Sequence, residues 1–468
     1  MDNNMILQDN LKSIEDASSK IRSFMNGIID EGSFVETDVF ACGKSFIDET
    51  EAHGEGVITG YATVSGNPVH IFAQNSEVLK GSLGMAHADK IIRCMRKAEA
   101  NGTALISILD SAGARVGEGV EMLEAYARLI ATASEVGASI PHICIVKGAC
   151  VGMMSAFANV ADFVFMADDA VMSVNSPMVL ASNIKGYPKF SDVLGNKAHA
   201  AKSNTVEFTY SNVSDLNDKI NKLLDFILVD DMDDTADDPN RESALVSGAS
   251  VDDIMAALAD NNESIEYAEA YANDIRCFFA KVDSIPVGII AGNAEVNNGF
   301  TSVDGLKKAA DFVDKLDSFR LPLITLVNTK GLDTTIESEL SSASTALANL
   351  MVAINAAGVP KIAVVVGKAI GLGYSAFASK GVGFDYTIAF DDAEIAPINS
   401  NTAVNIVYAD ELKSAKDPIG ARAELEKKYA EIEANPIVVA RQGFLDNVIE
   451  PCAIRPYVSS ALLMLLGL

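Results

Sequence analysis

Two stretches of the chain, GACVGMMSAFA at 148–158 and GKAIGLGYSAFA at 367–378, run through glycine and small residues into the same Ser-Ala-Phe-Ala. A strand that turns into a helix leaves the first helical N–H groups unpaired, with the positive end of the helix dipole behind them. Such a turn can hold an oxyanion. Main-chain donors fixed where negative charge develops stabilise an enolate or a tetrahedral intermediate by about 3 to 4 kcal/mol each. Two copies predict two oxyanion sites. The plainer reading is close packing, since glycine-rich strand-to-helix turns recur throughout α/β proteins.

Side-chain nucleophiles compete with that reading. Ser155 and Ser375 stand at the helix starts, and GYSAF at 373–377 is half of a Gly-x-Ser-x-Gly elbow without its last glycine. The histidines are His53, His70, His87, His142 and His199. None follows Ser375, and the first after Ser155 is His199, which argues against a serine hydrolase with a nearby base. Both serines read as ordinary helix-start residues.

The elements that must carry these turns are themselves duplicated. LISILDSAG at 105–113 stands against LITLVNTKG at 323–331, IPHICIVKG at 140–148 against VPKIAVVVG at 359–367, and ADDAVM at 167–172 against FDDAEI at 390–395. Each is a β-rich apolar run closed by a polar or glycine-containing turn. Between them, the segments at 120–138 and 341–359 have helical spacing and end near a glycine. Strand alternating with helix predicts parallel strands and crossover helices, an α/β class.

The chain has 468 residues, long for one hydrophobic core and comfortable for two. VDDMDDTADDPN at 229–240 is acidic and contains proline, as an exposed linker would. One domain is expected over 1–240 and a second over 265–468, with helix between. No run reaches the roughly 20 uncharged apolar residues of a membrane span. The N-terminus is acidic and polar where a secretory signal would be basic and then apolar, so the expected location is the cytoplasm. Cys42, Cys94, Cys144, Cys150, Cys277 and Cys452 form no Cys-x-x-Cys pair, so they read as reduced packing residues and no metal site is expected. A formal charge of −28 repels polyanions and argues against nucleic acid.

The residues then carry a resemblance. DEGSFVE (30–36), GEGVITGYATVSGNPVHIFAQ (54–74), GSLGMAHADKI (81–91), DSAGARVGEGV (110–120), the segment 359–380, DDAEIA (391–396) and ARQGFLDNVIEP (440–451) succeed one another in a specific order and spacing. Together they resemble the carboxyltransferase subunit of biotin-dependent acyl-CoA carboxylases and decarboxylases, over nearly the whole chain. The resemblance implies two duplicated crotonase-type domains of ββα superhelical build, with the N-terminal domain on the acyl-CoA side and the C-terminal one on the biotin side. It further implies an active site between domains of different subunits and a hexamer built as a ring of dimers. In the family's chemistry carboxybiotin releases CO2, the freed biotin nitrogen takes a proton from the acyl-CoA α-carbon, and two backbone oxyanion holes hold the enolate and the ureido oxygen.

Carried over by position, the first hole falls on Gly152 and Met153 and the second on Leu372 and Gly373. Ala112, Gly113 and Ala114 match the strand-end turn that lines the CoA site. The family usually has Gly-Gly at 152–153 and Gly-Gly-Ala-Tyr at 371–374, and glycine at the position of Lys80. Backbone N–H groups survive such exchanges wherever no positive φ is needed. The loop at 329–339 lacks the family's Pro-Gly-Phe turn.

No Ala-Met-Lys-Met biotinylation motif and no ATP-binding module is seen, so the expected partners are a biotin carboxyl carrier protein and either a biotin carboxylase or a membrane decarboxylase subunit. Acetyl-, propionyl- or methylmalonyl-, and glutaconyl-CoA remain open as substrates. The rival readings are another crotonase-type CoA-thioester enzyme, such as a hydratase-like lyase or a CoA hydrolase, and a non-catalytic scaffold subunit. For the CoA phosphates, Lys90, Arg93 and Lys97 are spaced to share one helix face beside Arg96, and Lys80 precedes the turn. The alternatives are a merely solvated basic face and a phosphate site at the turn around Arg115.

Overall fold

The computed structural model describes residues 3–43, 54–182, 189–228 and 237–468. It divides into two units, Met1–Asn221 and Lys222–Leu468. Among the described residues the first unit holds β1 (Val35–Thr37), β2 (Val57–Val64), β3 (Asn67–Gln74), β4 (Ala104–Ser111), β5 (His142–Val151), β6 (Phe163–Ala167), β7 (Val171–Ser173) and β8 (Phe208–Tyr210). The second holds β9 (Ser264–Tyr267), β10 (Ile275–Val282), β11 (Ile285–Gly292), β12 (Leu323–Thr329), β13 (Lys361–Ile370), β14 (Tyr386–Phe390), β15 (Glu394–Ala396) and β16 (Asn447–Ile449).

The two sheets match strand for strand. One runs β1-β2-β3-β4-β5-β6-β8 with β7 on β5, and the other β9-β10-β11-β12-β13-β14-β16 with β15 on β13. In each, the first three strands are antiparallel and the rest parallel. The central strand β4, ALISILDS, is buried along its length, which is why it reads as a continuous apolar run. The antiparallel hairpins use two-residue turns with positive φ at both positions, Ser65-Gly66 and Asp283-Ser284. A carboxylate caps each turn: Asp30 accepts from the N–H groups of Ser65 and Gly66, and Asp260 from those of Asp283 and Ser284.

The helical spacing at 120–138 and 341–359 becomes the helices Glu121–Gly137 and Ala343–Ala356, which cross between parallel strands. They are capped by Ala138 and Ala357, so neither ends on a left-handed glycine. Most of the acidic stretch, 229–236, lies outside the described residues. Residues 237–262, on its C-terminal side, join the second unit. The helix Val251–Leu258 buries Ile254, Met255 and Leu258 in that unit's core. The fully buried Arg455 donates to Asp238 O at 2.9 Å and Leu258 O at 2.7 Å and pairs with Asp260 at 2.7 Å. The second unit thus begins at Lys222, where the expected first domain ran on to residue 240, and it includes this stretch as well as the expected 265–468. Among the described residues no helix is long and apolar enough to cross a membrane.

Candidate active site

In the first unit β5 ends at Val151, Gly152 turns at φ 73°, ψ −142°, and a six-residue helix Met153–Ala158 begins. Only glycine enters that region without strain. In the second unit β13 ends at Ile370, Gly371 turns at φ 57°, ψ −122°, and the helix Leu372–Phe377 begins. Gly152 N–H donates to Ser173 O at 2.9 Å, and Gly371 N–H to Ala396 O at 2.8 Å. These bonds fasten the last leg of each long strand beside β7 and β15.

The first bond also takes Gly152 out of the donor pair expected from the sequence. Gly152 has spent its donor, so the N–H groups without a partner among the described residues are those of Met153 and Met154 in the first unit. In the second they are those of Leu372 and Gly373, the two residues singled out in the sequence. Aligning the copies on Ser-Ala-Phe-Ala sets Gly152-Met153 against Leu372-Gly373. The fold aligns them instead on the turning glycine, and the extra residue of the second copy sits inside its helix. Ser155 N–H and Tyr374 N–H, not the two serines, accordingly make the equivalent bonds to Gly152 O and Gly371 O, each at 3.1 Å. The signal for Met154 was present in the sequence, in the equal spacing from Gly148 to Gly152 and from Gly367 to Gly371.

Positive φ falls on the two glycines the chain keeps. Met153 and Leu372, which replace family glycines, start helices and cost no backbone strain there; their side chains are 40% and 46% exposed. Lys80 differs. It sits at φ 53°, ψ 29°, a left-handed conformation its counterpart Asn298 shares at φ 53°.

The strand-end turn packs against this site. Gly113, at φ 100°, accepts from Leu83 N–H at 2.9 Å, and Ala112 N–H donates to Lys80 O at 3.0 Å. Arg115 N–H returns to Leu83 O, and Ala114 bridges Leu83. A Cβ on Gly113 would lie 3.2 Å from Val151 O. Ala112, Gly113, Ala114 and Lys80 are thus brought beside the Gly152 turn. The second unit repeats the arrangement: Thr301 N–H donates to Gly331 O at 2.9 Å, and a Cβ on Gly331 would lie 3.3 Å from Ile370 O.

Lys90 leaves the site altogether. It is fully buried, its Nζ donating to Gly54 O at 3.1 Å and Val57 O at 2.7 Å, and burial lowers its pKa to about 8. Its counterpart Lys308 is also buried and bonds Tyr271 O at 2.8 Å. Helical spacing put Lys90 on one face with Arg93 and Lys97, but the segment around β2 covers its end of that face. Arg93 pairs with Asp38 and Arg96 with Glu99 and Glu135. Arg115 is nearly buried, bonding Glu55 at 2.7 Å, Glu118 at 2.9 Å and Ser82 O at 3.0 Å, so its charge is already met by two carboxylates. Of the basic residues singled out for phosphate, Lys80 and Lys97 are the exposed ones that no ion pair among the described residues engages.

Ser155 Oγ is turned back onto Gly152 O at 2.7 Å. His142 bonds Ser107 Oγ at 2.9 Å, and burial pushes the pKa values of both His87 and His142 down to about 3. Among the described residues neither Ser155 nor Ser375 hydrogen-bonds to a histidine. Beside the second turn lies an open cleft of about 590 Å³, lined by Leu372, Tyr374, Ser375, Pro397, Gln442 and Phe444 among others.

The model of the carboxyl transferase domain matches residues 17–466. The chain belongs to that family. Among carboxyltransferase relatives, the 12S subunit of methylmalonyl-CoA carboxyltransferase from Propionibacterium freudenreichii subsp. shermanii is 31% identical over 95% of this chain and 88% of its own. The alpha subunit of methylmalonyl-CoA decarboxylase from Veillonella parvula is 34% identical over 94% of this chain and 88% of its own. The crystal structure of transcarboxylase 12S, a hexamer with methylmalonyl-CoA and methylmalonic acid bound, superposes with a TM-score of 0.92 at 28% identity, covering 99% of this chain and 95% of that one. The carboxyltransferase family and the duplicated crotonase-type fold read from the sequence are borne out.

Proposed function

We propose that this carboxyltransferase moves a carboxyl group between biotin on a separate carrier protein and an acyl-CoA of the propionyl/methylmalonyl type. The observation that carries the reading is the duplicated turn, each copy presenting two adjacent main-chain N–H groups without a partner among the described residues. Met153 and Met154 hold the thioester oxygen as it gains enolate charge, and Leu372 and Gly373 hold the ureido oxygen. Both donor pairs are fixed before the reaction, so the charge that develops meets dipoles that need no reorganisation.

The open cleft beside Leu372 has room for a bicyclic urea, with Tyr374 and Phe444 as apolar walls. Bound biotin supplies the carboxyl group and, once relieved of it, a basic nitrogen. The exposed Ala112 and Lys80 border the acyl-CoA turn, with Gly113 beneath it and Ala114 joining Leu83, and Lys97 lies farther along the helix Met85–Asn101. Relatives named for methylmalonyl-CoA and propionyl-CoA support this substrate class. A biotin carboxyl carrier protein, together with a biotin carboxylase or a membrane decarboxylase subunit, completes the system, which works in the cytoplasm around a hexamer of this chain.

The test incubates the purified chain with free biotin and each of methylmalonyl-, malonyl- and glutaconyl-CoA. Biotin-dependent conversion of methylmalonyl-CoA to propionyl-CoA is expected. Absence of biotin-stimulated turnover across the whole panel refutes the proposal.

A further inference from the structure

The long strand before each turn makes the same detour. Pairing of β4 with β5 changes register between Leu109 and Ser111, and pairing of β12 with β13 between Val327 and Thr329. The residue at the break is Asp110 in one unit and Asn328 in the other. Asp110 Oδ1 accepts from Ala149 N–H at 3.2 Å, and Asn328 Oδ1 from Lys368 N–H at 3.0 Å. Each acceptor lies over a glycine: a Cβ on Gly148 would collide with the Asp110 carboxylate, and one on Gly367 with the Asn328 carboxamide. The first glycine of each duplicated motif is thus required by a side chain from the neighbouring strand.

Everything else around the acceptor differs between the copies. Asp110 Oδ2 takes the Ser76 hydroxyl at 2.7 Å and the Lys147 ammonium at 3.2 Å. The matching positions in the second unit are Ala294 and Val366, which with Asn328 line a cavity of about 150 Å³. Carboxylate, lysine and serine have been exchanged together for carboxamide, valine and alanine, as they must be if no unpaired charge is to be left there. One oxygen acceptor over one glycine is what both copies retain.

We infer that Asp110 and Asn328 are positioning residues for the two oxyanion turns, an inference that rests on the function proposed above. Each side chain ties down the start of a three-residue leg, Ala149 to Val151 or Lys368 to Ile370. The leg pairs with β7 or β15 on its other side and ends in the turning glycine. Held at both flanks, the leg fixes where the N–H groups of Met153 and Met154, or of Leu372 and Gly373, point. A displacement of about 1 Å at such donors costs on the order of a hundredfold in rate.

The test compares Asp110→Ala with Asp110→Asn, both of which lose the ion pair to Lys147 while only the second keeps the Oδ1 acceptor. Turnover of methylmalonyl-CoA with free biotin is read beside amide hydrogen exchange of the peptide 148–158. Asp110→Ala should lower kcat about a hundredfold with the acyl-CoA KM held within about threefold, and Asp110→Asn should recover most of the loss. Exchange in the peptide should quicken about tenfold in the alanine variant and not in the asparagine one. Asn328→Ala, in the copy without an ion pair, should do the same to kcat and to the peptide 367–378, and it serves if Asp110→Ala fails to fold. Wild-type exchange and kcat in the alanine variants, or an asparagine variant as damaged as Asp110→Ala, overturns the inference. A wild type without turnover would sink the proposed function alone, because the exchange comparison still decides whether the acceptor holds the leg.

Discussion

Met153→Pro removes one of the proposed oxyanion donors and little else. Met153 is the first residue of its helix, where proline's fixed φ suits the backbone and the N–H it lacks has no intrahelical partner. The first bonds of the turn, Ser155 N–H and Ser155 Oγ to Gly152 O, do not involve Met153. Its side chain is 40% exposed, so only part of a methionine's burial is lost. The stability cost should therefore stay near 1 kcal/mol, whereas loss of a donor aimed at a developing oxyanion costs about 3 to 4 kcal/mol in the transition state, or 10²- to 10³-fold in kcat. Met153→Leu is the reference, since it alters the side chain and keeps the N–H. The assay is steady-state turnover of methylmalonyl-CoA with free biotin, beside a thermal melt of each variant. A proline variant whose kcat lies within about threefold of the leucine reference would refute main-chain catalysis at this turn.

Ser155→Ala and Ser375→Ala should each keep kcat within about tenfold of wild type, because neither hydroxyl is paired with a base among the described residues; a loss of about a thousandfold in a folded variant would restore the nucleophilic serine. Burial lowers the Lys90 pKa from 10.5 to about 8. Between those values the unfolded chain binds more protons than the folded one, so the lysine's contribution to stability is flat below pH 8 and rises by about 3 kcal/mol toward pH 10.5. The thermal midpoint of wild type minus that of Lys90→Met should accordingly climb from pH 7.5 to 10, and a difference independent of pH would contradict the buried placement. Lys80→Asn keeps a residue that tolerates the left-handed conformation and removes the charge. It should leave the melting midpoint unchanged and raise the acyl-CoA KM several-fold at low salt, with the gap closing at high salt; equal KM values at low salt would remove Lys80 from the phosphate site.

The sequence by itself determined the duplication, the alternation of strand and helix, and the family, because each is written in local period and turn chemistry. An apolar run such as ALISILDS, closed by a polar turn, reads as a strand buried on both faces, and the glycines after Val151 and Ile370 mark a turn. What a local pattern cannot say is which donor or which face is already used by a distant segment. Ser173 takes the Gly152 N–H and moves the proposed oxyanion pair by one residue; Gly54 and Val57 take the Lys90 ammonium and turn an apparent phosphate ligand into a structural one. Asp110 and Asn328 were legible only as the polar ends of two strands until the fold laid each over a glycine some forty residues away in sequence. The domain boundary is of the same kind: acidic charge marked an exposed stretch, but Arg455, near the C-terminus, draws residues 237–262 into the second unit. In these cases periodicity set the element, and long-range packing, which brings distant acceptors to a donor and excludes water from it, decided what each residue was left free to do.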